Sequence, residues 1–292
     1  MSPGNFKVLK VEKTEGILKQ GGTILGTSNR GHFASKVGAG GIRKIPAEYM
    51  AEAFATLRDL EVDALICVGG DGSLTTALQF YEEGFPVVGV PKTIDNDLAA
   101  TAMTFGFDSA IQVVADSLDR LHTTAESHSR VMVLEVMGRH AGWIALYGGI
   151  AGGASSILIP EIPFQHERVA EAILERERQG FHSSLVVVAE GATTLGGSLV
   201  VENAGTGGEY RLGGIGDQVS NKLAELTGKE TRCTRLGHLQ RGGSPTSLDR
   251  VLGMRFGVKA VKLIEEKRFG RMVSYQQYHV GSVKIEDAVR KL

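Results

Sequence analysis

Two short acidic segments, about twenty residues apart, each follow an apolar run. After "DALICV" the chain reads Gly69-Gly70-Asp71-Gly72-Ser73, and after "PVVGV" it reads Pro91-Lys92-Thr93-Ile94-Asp95-Asn96-Asp97. Three more apolar runs end in a similar way. "RVMVLEV" leads into Met137-Gly138-Arg139, "SLVVVA" into Glu190, and "TRCTRLG" into His238-Leu239-Gln240-Arg241. Asp71, Lys92, Asp95, Asp97, Arg139, Glu190, His238 and Arg241 thus stand just past strand-like segments and are expected to converge on one edge. Carboxylates, cations and glycine turns together suit phosphoryl chemistry. A hard cation needs oxygen ligands. A phosphate needs cations and free N–H groups. A hydroxyl nucleophile needs a base. Gly69, Gly70 and Gly72 let the backbone turn its N–H groups toward a phosphate at the start of the next helix, and Asp71 can hold Mg²⁺ directly or through water. A plain strand-to-helix turn is the other use of the same residues.

The elements that must carry these residues alternate. "IPAEYMAEAFATLRDL" puts Pro46 at a helix start and Met50, Phe54 and Leu57 on one face. The strand "DALICV" follows, then the helix "LTTALQFYEEG" ending near Gly84, then the strand "PVVGV" stopped by Pro91. "DSAIQVVADSLDRLHTTAES" is a helix with Ile111, Val114, Ala115 and Leu118 at helical spacing, capped by Asp108 or Ser109. The strand "RVMVLEV", the helix "HERVAEAILERERQG", the strand "SLVVVAE", the helix "GDQVSNKLAELTG", the strand "TRCTRLG" and the helix "GMRFGVKAVKLIEE" complete the order. The strands are apolar on both faces, as parallel strands covered by helices must be. The pattern predicts an α/β, doubly wound fold, in which ligands bind at the carboxyl ends of the strands.

Composition narrows the classes. The chain has 292 residues with a formal net charge of −1, so nothing points to nucleic acid or an acidic membrane surface. Cys67 and Cys233 lie in strand-like runs and read as core thiols of a reducing cytosol. The N-terminus has no apolar signal core. Residues 141–160 are uncharged and place Gly148 and Gly152 at GxxxG spacing; their glycine and serine content predicts a buried, closely packed segment rather than a membrane span. Trp143 within it is expected in the core. His122, His128 and His140 read as satisfied or exposed, and His166 and His182 show no ligand spacing. Glycine is frequent, 39 residues, and clusters just after apolar runs, where backbone must approach a ligand.

"PKTIDND", "MGRHAGWIAL", "GGIAGGA" and "LGHLQRGGSPTSLDR", in this order, resemble the phosphofructokinase family, and the similarity runs from "GGTILGT" to "GVKAVKLI". The bacterial branch with Lys in the "PKTIDND" segment is the nearest likeness. The resemblance implies two doubly wound, mainly parallel-sheet domains with the active site between them. Residues 1–106 plus 240–290 would bind the phosphoryl donor, and residues 107–239 would bind fructose 6-phosphate. It implies transfer of a phosphoryl group from ATP to the 1-hydroxyl of fructose 6-phosphate in glycolysis, with Mg²⁺, in a cytoplasmic homo-oligomer, a dimer or tetramer.

By that resemblance Asp95 is the general base for the sugar hydroxyl, Asp97 assists by orienting the loop or the metal, and Thr93 donates a hydrogen bond near the transferring group. Gly70, Asp71, Gly72, Ser73 and Lys92 face the donor, with Asp71 supporting Mg²⁺. Met137, Gly138 and Arg139 meet the sugar and the transferring group, and Glu190 accepts from a sugar hydroxyl. His238 and Arg241 bind the 6-phosphate, which Arg130 and Arg232 reach from a neighbouring subunit.

The resemblance leaves the donor open between ATP and pyrophosphate. Gly72 leaves room for a nucleotide's α-phosphate, where an aspartate would collide with it, and so points to ATP. Lys92 points to pyrophosphate. Gly72 weighs more, because a lysine can stabilise phosphate charge in either enzyme. A catalytically incompetent fragment or regulatory subunit that keeps sugar-phosphate binding is a reading from another class. Kinases of NAD or lipids share the Gly-Gly-Asp-Gly turn but have no counterpart of "PKTIDND" or "HLQRGG". The chain departs from the family pattern in several places. The family's opening strand and first Gly-rich phosphate loop lie upstream of "GGTILGT" and are expected to be missing here. Asn29, with Arg30 beside it, stands where members often have arginine. Ser155 stands where the allosteric bacterial members use an acidic effector-site residue. The chain ends at "EDAVRKL", short of the family's last segment.

Overall fold

The computed structural model describes residues 6–27, 31–33, 36–37, 41–204 and 210–289; Asn29 and Arg30 lie outside them. After two short 3-10 turns, Val11–Thr14 and Ile17–Lys19, the order is β1 (Lys36–Val37), β2 (Gly41–Ile42), α1 (Ala47–Asp59), β3 (Leu65–Gly69), α2 (Asp71–Glu82), β4 (Val87–Thr93), β5 (Phe105–Gly106) and α3 (Phe107–His128). Then come β6 (Val131–Val136), α4 (Trp143–Ala151), β7 (Ser156–Leu158), α5 (His166–Arg178), β8 (Ser184–Ala189), β9 (Val201–Ala204), β10 (Tyr210–Leu212) and α6 (Ile215–Thr227). The last elements are β11 (Thr231–Arg235), a 3-10 turn (Gly237–Arg241), α7 (Ser247–Glu265), β12 (Arg271–Gln276), β13 (His279–Lys284) and α8 (Ile285–Val289).

The chain divides into two units, one of residues 1–93, 97–106 and 243–292, the other of residues 94–96 and 107–242. The sheet of the first unit runs β13-β12-β4-β3, with β5 beside the end of β4. β3, β4, β5 and β12 are parallel, and β13 folds back antiparallel on β12. Side chains alternate across this sheet as the period of two requires. Val87 and Met272 join a core formed with Met50, Leu57, Leu74 and Phe80 of α1 and α2. Val88, Val90 and Val273 face Leu252, Phe256, Ala260 and Leu263 of α7. Helices on both faces make the unit doubly wound.

The sheet of the second unit, β11-β6-β8-β7, is wholly parallel among the described residues. β6 and β8 are buried along their full length. Val131, Val133, Val186 and Val188 pack on Val169 and Ile173 of α5 and on Ile215, Val219 and Leu223 of α6. α3 and α4 lie against the same strands. Burying each such aliphatic side chain contributes about 1.5–3 kcal/mol.

Several expectations are corrected. The strand at residues 87–93 runs through Pro91 rather than stopping there. Its neighbour on one side is β12 as far as Gly89 and β5 from Lys92, so Pro91, which cannot donate, falls in the gap between the two partners. α3 begins at Phe107, which puts Asp108 and Ser109 inside its first turn instead of at its cap. Among the described residues, nothing covers the second face of β3. It stands at the edge of its sheet, Leu65 and Cys67 pack inward, and Ile66 and Val68 stay 39% and 41% exposed. The hairpin β12–β13 and the pair β9–β10 lie outside the sequence reading.

No described helix is long and apolar enough to cross a membrane. The glycines of residues 141–160 serve close packing: a Cβ on Gly148 would stand 2.6 Å from the Val114 side chain, and one on Gly152 2.6 Å from Leu118 Cβ. Trp143 is not in the core. It is 41% exposed on the outer face of α4, with its ring 6.1 Å from that of Tyr147.

Candidate active site

The expected convergence on one edge divides over two sheets. In the first unit, β3 hands directly into α2: Gly70 is the N-cap and Asp71 the first helical residue. The N–H groups of Asp71, Gly72 and Ser73 are therefore among those that no earlier helical carbonyl can accept, which makes the turn suited to an anion. A Cβ on Gly70 would lie 3.2 Å from Thr93 Cβ, so glycine lets this turn approach the end of β4, where Lys92 and Thr93 sit. The Thr93 carbonyl accepts the Thr104 hydroxyl at 2.8 Å, tying that end in place.

Past β4, Asp95 is buried and Asn96 takes a left-handed φ of 50°. Asparagine tolerates that conformation better than most residues, so the turn between Asp95 and Asp97 is inexpensive. Among the described residues no group of three His, Cys, Asp or Glu side chains stands together for a metal. Asp71 alone fits Mg²⁺ that arrives with phosphate oxygens, the usual mode for that ion, and not a cage built by protein.

The second unit gathers Met137, Gly138, Arg139, Glu190, His238 and Arg241 at the carboxyl ends of β6, β8 and β11. Gly138 has φ 147° and Arg139 φ 53°. A left-handed non-glycine residue costs on the order of 1–3 kcal/mol and needs support. Glu190 supplies it: its Oε1 accepts the Arg139 N–H at 3.0 Å. Burial pushes the Glu190 carboxyl above the ordinary glutamate range, the Arg139 and Gly138 N–H groups pull it back, and the Asp95 and Glu135 carboxylates push it up again. Arg139, His238 and Arg241 are exposed, as a binding edge open to a ligand must be. Two cavities of about 300 and 350 Å³ lie elsewhere, along the β12–β13 hairpin and against α7.

Arg130 and Arg232 are not with the others. Arg130 precedes β6, and Arg232 pairs in register with Met132 near its start. At about 3.3 Å per residue, the length of β6 puts Arg130 on the order of 20 Å from Met137. The two arginines share Glu230, with Arg130 Nε at 2.8 Å and Arg232 NH2 at 2.6 Å. The Arg130 hydrogen bond holds the Glu230 carboxyl below its ordinary range. Sequence reasoning missed Glu230, whose signal is an acid flanking a strand start beside a basic partner. It also missed Gln240, a buried polar residue inside "HLQRGG".

The phosphofructokinase family model matches residues 1–264. The chain belongs to the phosphofructokinase family. It is 49% identical over 284 residues to an ATP-dependent 6-phosphofructokinase of Chloroflexus aurantiacus, covering 97% of this chain and 78% of that protein. It is 47% identical over 291 residues to a pyrophosphate–fructose 6-phosphate 1-phosphotransferase of Amycolatopsis methanolica, covering 99% and 82%. Among solved phosphofructokinase structures, that of Saccharomyces cerevisiae matches with a TM-score of 0.83 at 31% identity, over 97% of this chain and 38% of that one. A pyrophosphate-dependent phosphofructokinase of Marinobacter aquaeolei matches with a TM-score of 0.71 at 26% identity, over 87% and 66%. Relatives named for ATP and for pyrophosphate are thus both similar to this chain.

Proposed function

We propose that this chain transfers the terminal phosphoryl group of ATP to the 1-hydroxyl of fructose 6-phosphate, giving fructose 1,6-bisphosphate and ADP, as a cytoplasmic enzyme of glycolysis. The observation that carries the reading is the set Met137, Gly138, Arg139, Glu190, His238 and Arg241 on one edge of the second unit's parallel sheet. That set offers a phosphate the Arg241 guanidinium and the His238 imidazole from a single turn and offers the sugar a carboxylate acceptor. The Chloroflexus relative supports ATP as donor.

In this reading Asp95 takes the proton from the 1-hydroxyl as its oxygen bonds to the γ-phosphorus and the bond to the β-phosphate oxygen breaks. Positioned base catalysis of this kind contributes about 10²–10⁴-fold. Thr93 donates to the transferring group, Asp97 orients the turn, and Arg139 neutralises charge on the transferring group. Gly70, Asp71, Gly72 and Ser73 hold the donor phosphates through the α2 N-terminus, and Lys92 adds a positive charge. Mg²⁺, held by Asp71 and the phosphates, would neutralise donor charge. Arg130 and Arg232 act on the 6-phosphate bound by a second copy, so the working form is a homo-oligomer, dimer or tetramer. The unit of residues 1–93, 97–106 and 243–292 serves the donor, and the unit of residues 94–96 and 107–242 serves the sugar, so the expected boundary at 240 moves to 243 and keeps Arg241 with the sugar.

Pyrophosphate as donor is the second reading, favoured by Lys92 in β4 and by the Amycolatopsis relative. A coupled assay with fructose 6-phosphate and either ATP or pyrophosphate separates the two. Turnover with ATP at least as fast as with pyrophosphate is expected. Sugar-phosphate binding without turnover on either donor would overturn the catalytic reading in favour of a regulatory subunit.

A further inference from the structure

One buried polar side chain at the sugar edge has no part in the chemistry above. Gln240 lies between His238 and Arg241 in the 3-10 turn, is 2% exposed, and accepts the Met137 N–H through Oε1 at 2.7 Å. β6 and β11 are paired residue by residue from Val131 with Thr231 to Glu135 with Arg235, and the Leu236 N–H still reaches the Glu135 carbonyl at 3.1 Å. Beyond that point the strands part. One enters Met137 and then Gly138 and Arg139, with φ 147° and 53°. The other enters Gly237, with φ 49°. Neither exit is extended, so the backbone ladder cannot continue. The Gln240 amide closes the fork by binding the N–H of Met137 just where the ladder ends.

The direction of the amide follows from its partner, because a flipped amide would set NH₂ against N–H. Its Nε2 then sits buried without a hydrogen-bond acceptor among the described residues. A residue kept for packing alone would be apolar there, since a buried donor left unpaired is unfavourable. The acceptor end therefore justifies the residue. A neutral acceptor also suits this edge, where Glu190 already feels the Asp95 and Glu135 carboxylates; one more negative charge would oppose a bound phosphate.

We propose that Gln240 is a positioning residue for the sugar phosphate. It fixes the Met137–Arg139 loop in register with the turn that carries His238 and Arg241, and so sets the spacing between the two segments that grip opposite parts of the ligand. The proposal rests on the functional reading above. It is tested in the full chain with Gln240→Met, which keeps bulk and loses the acceptor, and Gln240→Glu, which keeps reach and acceptor. Amide hydrogen exchange at Met137, calorimetric affinity for fructose 6-phosphate, KM for ATP, and kcat are measured on both.

In the Gln240→Met variant, exchange at Met137 is expected to quicken and fructose 6-phosphate affinity to fall by about three- to tenfold, the worth of one such hydrogen bond. The KM for ATP and kcat at saturating sugar should hold within about twofold. The Gln240→Glu variant is expected to keep Met137 protected, and decides the point alone if the Met variant does not fold. Unchanged sugar-phosphate affinity in a folded Gln240→Met variant, equal losses for ATP and sugar phosphate, or loss of Met137 protection in the Gln240→Glu variant would overturn the proposal. A wild-type chain that does not bind fructose 6-phosphate overturns the functional reading and this role with it. A wild type that binds beside a Gln240→Met variant that binds equally overturns this role alone.

Discussion

Arg130 is held by Glu230, guanidinium Nε to carboxylate oxygen at 2.8 Å, at the end of the sheet opposite the loop that carries Arg139. The same carboxylate holds Arg232 at 2.6 Å. One chain therefore carries the set proposed for the sugar phosphate on one edge and an arginine pair on the other. In the proposed homo-oligomer, each copy would lend its arginine pair to the sugar site of its neighbour.

Mixing variants tests that arrangement. Arg241→Ala and Arg130→Ala should each raise the KM for fructose 6-phosphate far more than they lower kcat. Co-refolded one to one, the two variants should regain about a quarter of wild-type activity at low substrate. Half of randomly formed dimers are hybrids, and one site in each hybrid carries neither change. Activity no higher than the sum of the separate variants would place all these residues in sites of a single chain.

Asp95→Asn should leave fructose 6-phosphate binding nearly intact and lower kcat by about 10²–10⁴-fold, because the amide keeps the shape of the buried carboxylate and loses its basicity. Steady-state and binding measurements on the same preparation check this. A kcat within about threefold of wild type would remove Asp95 as the base.

The sequence made the strand ends legible because their chemistry is local. A glycine turn or an acidic turn directly after an apolar run marks itself, as at Asp71 and Asp95. The distribution of those ends over two sheets was not visible in periodicity, which records burial and not which strands pair. Trp143 departs from expectation for a related reason: an uncharged, glycine-rich segment signals close packing, but not which of its side chains are covered. Gln240 escaped because it acts on Met137, distant in sequence, and Glu230 because its local pairing with Arg232 gives no sign of its second partner, Arg130.

Glu190 predicts a pH effect on stability. Its folded-state pKa is raised above the ordinary value of 4.5, chiefly by burial. Folding therefore favours the protonated form. That contribution is full below 4.5 and is lost as pH rises through the folded-state value. Glu190→Gln keeps a neutral side chain at every pH. Relative to wild type, the variant should gain stability as pH is raised from below 4.5 to neutrality, while losing sugar-phosphate affinity. Urea denaturation across that range is the check; a difference between the two proteins that does not change with pH would count against the shifted carboxyl.

Gly148→Ala should act on stability alone. The added Cβ would stand 2.6 Å from Val114 Cβ and Cγ1, where α4 meets α3. Forcing extra volume into such a contact costs about 1–3 kcal/mol. A lower urea midpoint with an unchanged KM for both substrates is expected. A variant as stable as wild type would mean that the two helices separate more easily than their packing implies.

Donor choice turns on Gly72. It is the second residue of α2, in a helix-opening turn suited to a phosphate. An aspartate in the first turn of a helix interacts favourably with the helix dipole, so Gly72→Asp should fold at least as stably as wild type. Its carboxylate would occupy the space left for a nucleotide's α-phosphate and repel it. The variant should therefore lose ATP turnover while keeping fructose 6-phosphate affinity, and any remaining activity should favour pyrophosphate, which has no α-phosphate beyond the two it needs. Lys92→Gly should weaken pyrophosphate use more than ATP use, since a single positive charge matters more to the smaller donor. Parallel assays with both donors, alongside thermal unfolding, separate loss of donor fit from loss of fold. A stably folded Gly72→Asp variant that still turns over ATP would show that residue 72 does not face the α-phosphate.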